Sequence, residues 1–391
     1  MSVARIVTVA RKEIVDTLRD RRTIVVTLAS AALAGPIFLL LIFNMFAQQA
    51  DRARELKLPV QGAEHAGALI AYLERQQVTI QPAPEDFEAK IRAGDLDVVM
   101  VVEPKFAEDV KSGRAATVRL VYDRSRDRAR ASIDQAESLL RAYNRQWGQT
   151  RLLLRGIAPE VGNPLEVETV NLATPQQSGA LVLFLVAYYG LFSAVVGGMA
   201  VALDATAGER DRASLEPLLM TPARPFDLVA GKWLATSVFN GLVVLITLAA
   251  FWATLSFAPL PPVGVPFLFG TTELFRFIVV LLPIIALVPA VLLWVGTRAR
   301  TYKEAQANVS VMMLVVAIVP FLQLFLQRRE PEWIALVPIS GQYALLNRVL
   351  RGEALPIAEI ALSWIVPVLL IGLALAAVAR LWSRESILAG K

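Results

Sequence analysis

The sequence predicts an α-helical polytopic membrane protein with six transmembrane helices and an extracytoplasmic α/β domain inserted between helices 1 and 2. Three observations predict this class. Hydrophobic residues make up 55% of the 391 residues, above the roughly 45–50% of a soluble chain. Several uncharged runs reach the length of about 20 residues that a helix needs to cross a bilayer. A long, densely charged stretch separates the first of these runs from the others.

Residues 1–22 are predicted to form a cytoplasmic amphipathic helix at the membrane interface. Ile6, Val9, Ile14 and Leu18 recur at helical spacing, and basic residues occupy other faces of the helix. Helices of this composition lie in the membrane surface. The uncharged run 23–50 that follows is too long for the apolar core of a signal peptide, so it is predicted to be the first transmembrane helix.

Residues 51–177 are predicted to form the extracytoplasmic α/β domain. No run in this segment is long enough to cross a bilayer, and helical patterns alternate with short β-branched runs. A segment of this length can bury a core of its own. Helices are predicted at 63–76, 84–93, 104–112 and 126–155, and strands at 78–81, 96–102, 117–122 and 165–170.

Residues 178–391 are predicted to form the rest of the transmembrane domain. Segment 327–356 is too polar to span and is predicted to lie against the membrane. Lys and Arg are concentrated in the short segments 1–22, 204–232, 297–306 and 380–391, whereas loop 258–273 contains neither. By the positive-inside rule both termini are cytoplasmic and residues 51–177 lie outside. The five further spans are predicted at 178–203, 233–257, 277–296, 307–326 and 357–379.

The composition excludes several kinds of catalytic and metal site. Cysteine is absent and His65 is the one histidine, so there is neither a thiolate site nor a histidine-based centre within one chain. The Gly231-Lys232 pair lacks the glycine spacing of a phosphate-binding loop. An intramembrane protease would need clustered Glu and His inside the spans, and the predicted spans have no such cluster. No catalytic residue, metal, bound cofactor or nucleic-acid partner is therefore predicted.

The polar loop 204–232 lies between two spans and has the pattern of a short helix. Gly208 is predicted to end the preceding span. Leu215, Leu218 and Leu219 then form a narrow apolar stripe at positions i, i+3 and i+4, with charged residues on the other faces. Such a stripe fits the groove of a partner protein; the alternative is an ordinary loop lying on the headgroups. Proline at 222 ends this helix, and a second helix is predicted to begin near Pro225.

The stretch GERDRASLEPLLMTPARPFDLVAGKWLA resembles the first cytoplasmic loop of ABC-2-type transporter permeases. The amphipathic start ARKEIVDTLRDRRT, the domain between the first two spans, TYKEAQAN and VPISGQYALLNRVLRGE are together similar to the NatB-like, sodium-efflux branch of that family. The resemblance covers nearly the whole chain.

The resemblance implies an exporter permease in the cytoplasmic membrane of a bacterium or archaeon. Such permeases pair as homodimers or heterodimers and bind two copies of a separate ATPase subunit, which holds ATP and Mg²⁺. In the family a coupling helix in the first cytoplasmic loop docks on that ATPase. Carried over by position, the residues that contact the ATPase are Glu209, Arg210, Leu215, Glu216, Leu218 and Leu219, with Lys303 and Glu304 in the second loop.

Polar residues inside the spans are candidates for a translocation path, although polar residues in spans more often hold helices together. They are Tyr188, Tyr189, Asn240, Asn308 and Gln323. No carboxylate cage for a cation is present, so the cargo stays open among sodium, drugs, peptides and lipids. The alternative to an exporter is a mechanotransmission subunit, which relays ATPase motion to the outer domain without a transport pore.

Overall fold

The computed structural model describes residues 2–54, 56–126, 129–162, 180–257, 269–325 and 332–383. The chain divides into two compact units. Of the described residues, the first unit comprises 2–41, 180–257, 269–325 and 332–383, and the second comprises 42–54, 56–126 and 129–162.

Two helices begin the chain. Helix α1 covers Val3–Arg19 and helix α2 covers Arg21–Arg54, so that Asp20 alone separates them. The buried residues of helix α1 are Ala10 and Glu13, which lie outside the predicted apolar stripe, whereas Leu18 of that stripe is exposed. Helix α2 contains the predicted first span and stays helical through Pro36, which is tolerated more readily in membrane helices than in soluble ones.

The second unit alternates strands and helices and is built around one sheet. In chain order its elements are β1 (Lys57–Gln61), α3 (Gly67–Arg75), β2 (Thr79–Pro82), α4 (Phe87–Ala93), β3 (Val98–Val102), α5 (Phe106–Lys111), β4 (Val118–Tyr122) and α6 (Arg130–Leu154). The strand order is β2-β1-β3-β4, with β1 parallel to β2 and β3, and β3 antiparallel to β4. Strand β3 is buried along its whole length because an apolar core lies on each face of the sheet.

The elements of this unit follow the sequence pattern except at its first strand. The predicted strands 78–81, 96–102 and 117–122 correspond to β2, β3 and β4. Strand β1 was not predicted, because Pro59 interrupts a run in which Leu58 and Val60 are the strongly apolar residues. The predicted helix 63–76 is divided into a single turn, Ala63–His65, and α3. The predicted strand 165–170 lies outside the described residues.

The second span does not end at Gly208, contrary to the sequence prediction. It consists of α7 (Ala180–Val196) and α8 (Met199–Leu203), then continues as a wide π turn over Asp204–Gly208 into α9 (Glu209–Asp211). A side chain at 208 would place its Cβ 2.8 Å from Oδ1 of Asp204. The glycine therefore makes room for the Asp204 carboxylate and does not break the helix.

The remaining helices complete the first unit. They are α10 (Leu215–Leu219), α11 (Pro225–Phe257), α12 (Thr271–Arg298), α13 (Tyr302–Phe325), α14 (Ser340–Leu350) and α15 (Ile357–Trp382). In the described part of the chain six helices are long and apolar enough to cross a membrane, which confirms the predicted number of spans. Helix α14, in the segment predicted to lie against the membrane, is largely buried and packs on α7, α12 and α13.

Candidate functional site

Charged side chains are concentrated at one end of the first unit, which we call the basic end. Here α8 leads into α9, helix α11 begins, α12 ends and α13 begins. Helix α15 also ends there, because Trp382 belongs to the same apolar cluster as Leu215 of α10. The basic residues of this end include Arg5, Lys12, Arg210, Arg212, Arg224, Lys232, Arg298, Arg300, Lys303 and Arg380.

Helix α9 joins the two helices that follow α11 in the chain. Its Arg210 guanidinium donates hydrogen bonds to the carbonyls of Thr297 (2.8 Å) and Ala299 (2.6 Å), where α12 ends. Its Asp211 accepts a hydrogen bond of 2.8 Å from the backbone N–H of Tyr302, where α13 begins. A cation on terminal carbonyls and a carboxylate at a helix N-terminus are both favourable pairings. Helix α9 therefore fixes the connection between α12 and α13.

The third charged residue of α9 faces in another direction, into a buried ionic cluster. One oxygen of Glu209 lies 2.7 Å from Nζ of Lys232 on α11, and the same ammonium lies 2.9 Å from an oxygen of Glu13 on α1. The Lys232 side chain is completely buried, and both glutamates are nearly so. Three segments that are distant in sequence thus meet at one ammonium group.

Lys12 completes this cluster from the solvent side. Its Nζ lies 3.0 Å from Glu13 and 3.5 Å from Glu209, and its side chain is about half exposed. Burial opposes the charge of this amine, but the hydrogen bond to Glu13 and the attraction of both glutamates outweigh burial and raise the pKa of Lys12 above its ordinary value. The cluster therefore holds two ammonium groups against the two glutamates, and Lys12 also lies 3.4 Å from Asp16 at the surface.

The leucine stripe of α10 faces this chain's own helices. Leu215 is buried, and Leu218 and Leu219 are partly buried. These leucines share one apolar cluster with residues of α11, α12 and α15, namely Leu228, Val229, Ala290, Leu375, Val378 and Trp382. The stripe thus anchors α10 to the first unit. The outward surface of α10 consists of Glu216, Pro217 and the adjoining Met220, which is 78% exposed.

The predicted residues of the second loop lie beside α9 and are exposed. Glu304 accepts a hydrogen bond of 2.8 Å from the backbone N–H of Arg300, and its own N–H donates to the hydroxyl of Thr301 (3.2 Å), which caps the start of α13. Lys303 points to solvent. Together with α10, this loop gives the basic end a charged outer surface.

The candidate translocation residues occupy different environments. Asn240 is completely buried on α11 and donates hydrogen bonds to the carbonyls of Ala194 on α7 (2.8 Å) and Ile285 on α12 (3.1 Å). It therefore links three helices, the role that buried amides commonly have in membrane proteins. Tyr188 and Tyr189 pack edge to face, with ring centroids 5.6 Å apart.

The other two candidates lie on α13. Asn308 is exposed on its surface. Gln323, close to the end of this helix, donates a hydrogen bond to the carbonyl of Ser340 at the start of α14. Asn308 and Gln323 therefore lie about four helical turns apart on α13.

Sequence reasoning missed the ionic cluster and Asp211. The signal was present, because Lys232 is a lone charge where the apolar run of α11 begins, and such a residue needs an ionic partner. Its partners could not be identified from spacing, since Glu13 lies 219 positions away. A second unpredicted group is Asp227 on α11, which is buried with neither carboxylate oxygen hydrogen-bonded to any described residue.

Comparisons with known proteins agree with this architecture. Residues 26–380 match the family described as ABC-2 family transporter protein. The chain is also 29% identical over 375 residues to a protein of Bacillus subtilis (strain 168) named ABC transporter permease protein NatB, which covers 92% of this chain and 93% of that protein. The family match covers the four middle candidate membrane helices completely, most of the first and the last, and both loops of the basic end. This chain therefore belongs to the ABC-2 family of transporter proteins.

Proposed function

We propose that this chain is the membrane permease subunit of an ATP-driven ABC exporter, and that the basic end receives the motion of a separate ATPase subunit. The observation that carries the proposal is the set of contacts made by α9. Three consecutive residues of this short helix, Glu209, Arg210 and Asp211, contact α11, the end of α12 and the start of α13. A displacement of α9 would therefore move several spans together.

Helix α10 is the part of this assembly that a cytoplasmic partner can reach. Its leucines are directed inward, whereas Glu216, Pro217 and Met220 form an outward surface with one charged and one large apolar group. A protruding apolar side chain beside charges suits a groove in a protein partner. We assign the ATPase contact to these outward residues and to Lys303, and we assign the leucines to anchoring.

The orientation proposed for the chain places the basic end in the cytoplasm and the second unit outside. The basic residues of this end lie in short segments next to spans, which are the segments that the positive-inside rule counts. The chain has no cysteine, so Arg212→Cys introduces a single thiol at an exposed site. A membrane-impermeant maleimide should label it in inverted vesicles and not in intact cells; the reverse result would contradict the orientation.

The complete exporter is proposed to contain two permease chains and two ATPase subunits. Helices α2, α13 and α15 have few buried residues within the chain. Each carries a row of large apolar side chains on its surface, including Val25, Val311 and Leu369. Lipid and a second permease can both cover such surfaces.

The test compares the two surfaces of α10 in the full chain, co-expressed with its cognate ATPase subunit. In Glu216→Lys/Met220→Asp the changes are confined to the outward side, so the permease should fold normally and retain less than about a tenth of the ATPase in a pull-down, a loss of roughly 1.4 kcal/mol or more in binding. Normal retention in this variant would contradict the proposed contact.

Leu218→Asp/Leu219→Asp is the matched variant on the inward side. It places two charges in the apolar cluster, so it should lower both thermal stability and ATPase association.

Transport by the parent complex in proteoliposomes separates an exporter from a mechanotransmission subunit. ATP-dependent accumulation of cargo supports the exporter, whereas nucleotide-dependent motion of the second unit without cargo movement supports the alternative.

A further inference from the structure

The proposed contact with an ATPase does not explain why Lys232 is buried between two glutamates. Its ammonium is completely buried and is shared by Glu13 and Glu209, on α1 and α9. Each glutamate uses the same one of its oxygens for this contact and for Lys12, and the second oxygen of Glu209 has no hydrogen-bond partner in the part of the chain that the structure describes. Burying charges costs free energy unless they are paired. We therefore expect this buried ionic cluster to have a function.

The residue before Lys232 brings α1 into direct contact with α11. A Cβ atom at Gly231 would lie 2.6 Å from the Cβ of Val9 and 3.0 Å from the backbone oxygen of Ile6. Only glycine allows the two backbones to approach this closely. Gly231 thus provides the close contact with α1, and Lys232 provides its ionic attachment, within one turn of α11.

Helix α1 has three distinct faces. One face is buried and includes Ala10 and Glu13. A second face is apolar and exposed, with Val3, Val7 and Leu18, as expected for a helix against lipid. The third face is polar. Because α1 packs chiefly on α11 and its one buried charge is Glu13, the ionic cluster is its specific attachment point.

Movement of α1 would reach the first span directly. Asp20 is the one residue between α1 and α2. A single residue limits how far the two helices can move apart. Further along α2, Ile24 and Leu28 pack against an apolar cluster formed by Val201 of α8 and by Phe239 and Val243 of α11. The cluster therefore connects α9 to the first span through α1.

We propose that Lys232 is a positioning residue that attaches α1 to α9, so that α1, α9 and α10 move as one body when the ATPase subunits close and the first span moves with them. This inference rests on the proposed function. It adds a route by which motion at α10 reaches the first span, which has no direct hydrogen bond to α9 among the described contacts.

The test measures distances by pulsed EPR in the full chain, reconstituted with its cognate ATPase. The absence of cysteine allows labelled pairs to be introduced without background. The pair Thr8→Cys/Ala213→Cys reports α1 against the loop that follows α9, and the pair Ala213→Cys/Ile357→Cys reports that loop against the opposite end of α15. All three positions are exposed. Each pair is measured without nucleotide and after trapping with ATP and vanadate.

In the parent, the 213–357 distance should change on trapping while the 8–213 distance keeps one narrow distribution. Lys232→Met/Glu13→Gln/Glu209→Gln removes the buried charges and keeps the side-chain volumes, so it should fold. In this variant the 8–213 distribution should broaden at least twofold and become nucleotide-dependent. A purely structural role would not create that nucleotide dependence. Glu13→Gln, which leaves Lys232 paired with Glu209, should give a smaller change in the same direction.

Two results would overturn the inference. The first is an unchanged 8–213 distribution in both the triple variant and Glu13→Gln. The second is equal broadening in Lys12→Met, because Lys12 contacts the same glutamates but is half exposed and should contribute little. An unchanged 213–357 distance in the parent, with ATPase bound and hydrolysing ATP, would instead contradict the proposed function.

Discussion

The two ends of the first unit hold their helices together with different chemistry. At the basic end the buried polar contacts are ionic, with Lys232 between Glu13 and Glu209. At the opposite end, where α14 packs among the spans, the completely buried polar side chain is the neutral amide of Gln342, and the ion pair between Arg348 of α14 and Glu359 of α15 is partly exposed. Removing one member of a buried ionic cluster leaves unpaired charge, whereas removing a neutral amide leaves unpaired dipoles. The two ends should therefore differ in their sensitivity to single substitutions.

The largest effect is expected for Lys232→Met. This change retains the length of the side chain but leaves Glu13 and Glu209 buried, with the half-exposed Lys12 as the ion-pair partner that remains among the described residues. Breaking a buried ion pair from one side costs about 3–5 kcal/mol. The free energy of unfolding, measured by SDS titration in mixed micelles, should fall by about that amount.

Lys12→Met is the control for this measurement. Lys12 contacts the same two carboxylates from the surface, and exposed ion pairs contribute about 0–1 kcal/mol. Equal losses of unfolding free energy in the two variants would show that burial of Lys232 does not increase its contribution to stability. The expected difference in sensitivity between the two ends would then be contradicted.

A smaller loss is expected for Gln342→Leu at the opposite end. The Gln342 side chain donates to the carbonyl of Ser363 on α15 (2.9 Å) and accepts from the backbone N–H of Ile339 (2.7 Å). Ile339 has a φ of 74°, which is strained for a β-branched residue. The substitution leaves both backbone groups unpaired, so the same titration should show a loss of about 2–3 kcal/mol.

The matched control on α14 is Asn347→Leu. Asn347 is partly exposed and donates to a carbonyl one turn earlier in its own helix, that of Tyr343. Since no other helix depends on this bond, the loss should stay below about 1 kcal/mol. If Asn347→Leu proved as damaging as Gln342→Leu, the bond to α15 would not be what makes Gln342 important.

The sequence predicts the spans and the loop helix well because both depend on local patterns. Apolar length locates the membrane helices, and the spacing of Leu215, Leu218 and Leu219 locates α10. The same spacing does not say which way α10 faces, because a stripe at helical period looks identical whether it meets a partner or the chain's own helices. The direction depends on α15, whose end reaches the cluster from the far end of the sequence.

The ionic cluster could be predicted only in part for the same reason. A lone lysine where an apolar run begins predicts that a carboxylate lies nearby. Choosing Glu13 and Glu209 requires knowing that α1 folds back onto α11 at Gly231. That close approach depends on the lack of a side chain at this position, and a glycine inside a helix can equally mark a kink or a helix end. A charged residue in an apolar run therefore predicts that an ionic contact exists, whereas the tertiary fold determines which residues form it.

The smallest effect is expected for Asp227→Asn at the basic end. Asp227 lies in the first turn of α11, where the helix dipole favours a negative charge by about 0.3–1 kcal/mol. Its side chain is nonetheless buried, and no group in the described ranges donates to either oxygen. The free-energy cost of desolvating an unpaired carboxylate exceeds the stabilisation by the helix dipole. Asp227→Asn should therefore leave the free energy of unfolding unchanged or raise it by about 1 kcal/mol.

Asp211→Asn is the control for Asp227→Asn. Asp211 is an exposed carboxylate at the same end, but it accepts the N–H of Tyr302 at the start of α13, where the helix dipole favours a negative charge, so neutralising it should lower stability by about 0.3–1 kcal/mol. Opposite signs for the two aspartates would show that partnership, and not charge, decides what an acid contributes at the basic end. Losses of similar size for the two aspartates would show instead that charge alone decides it.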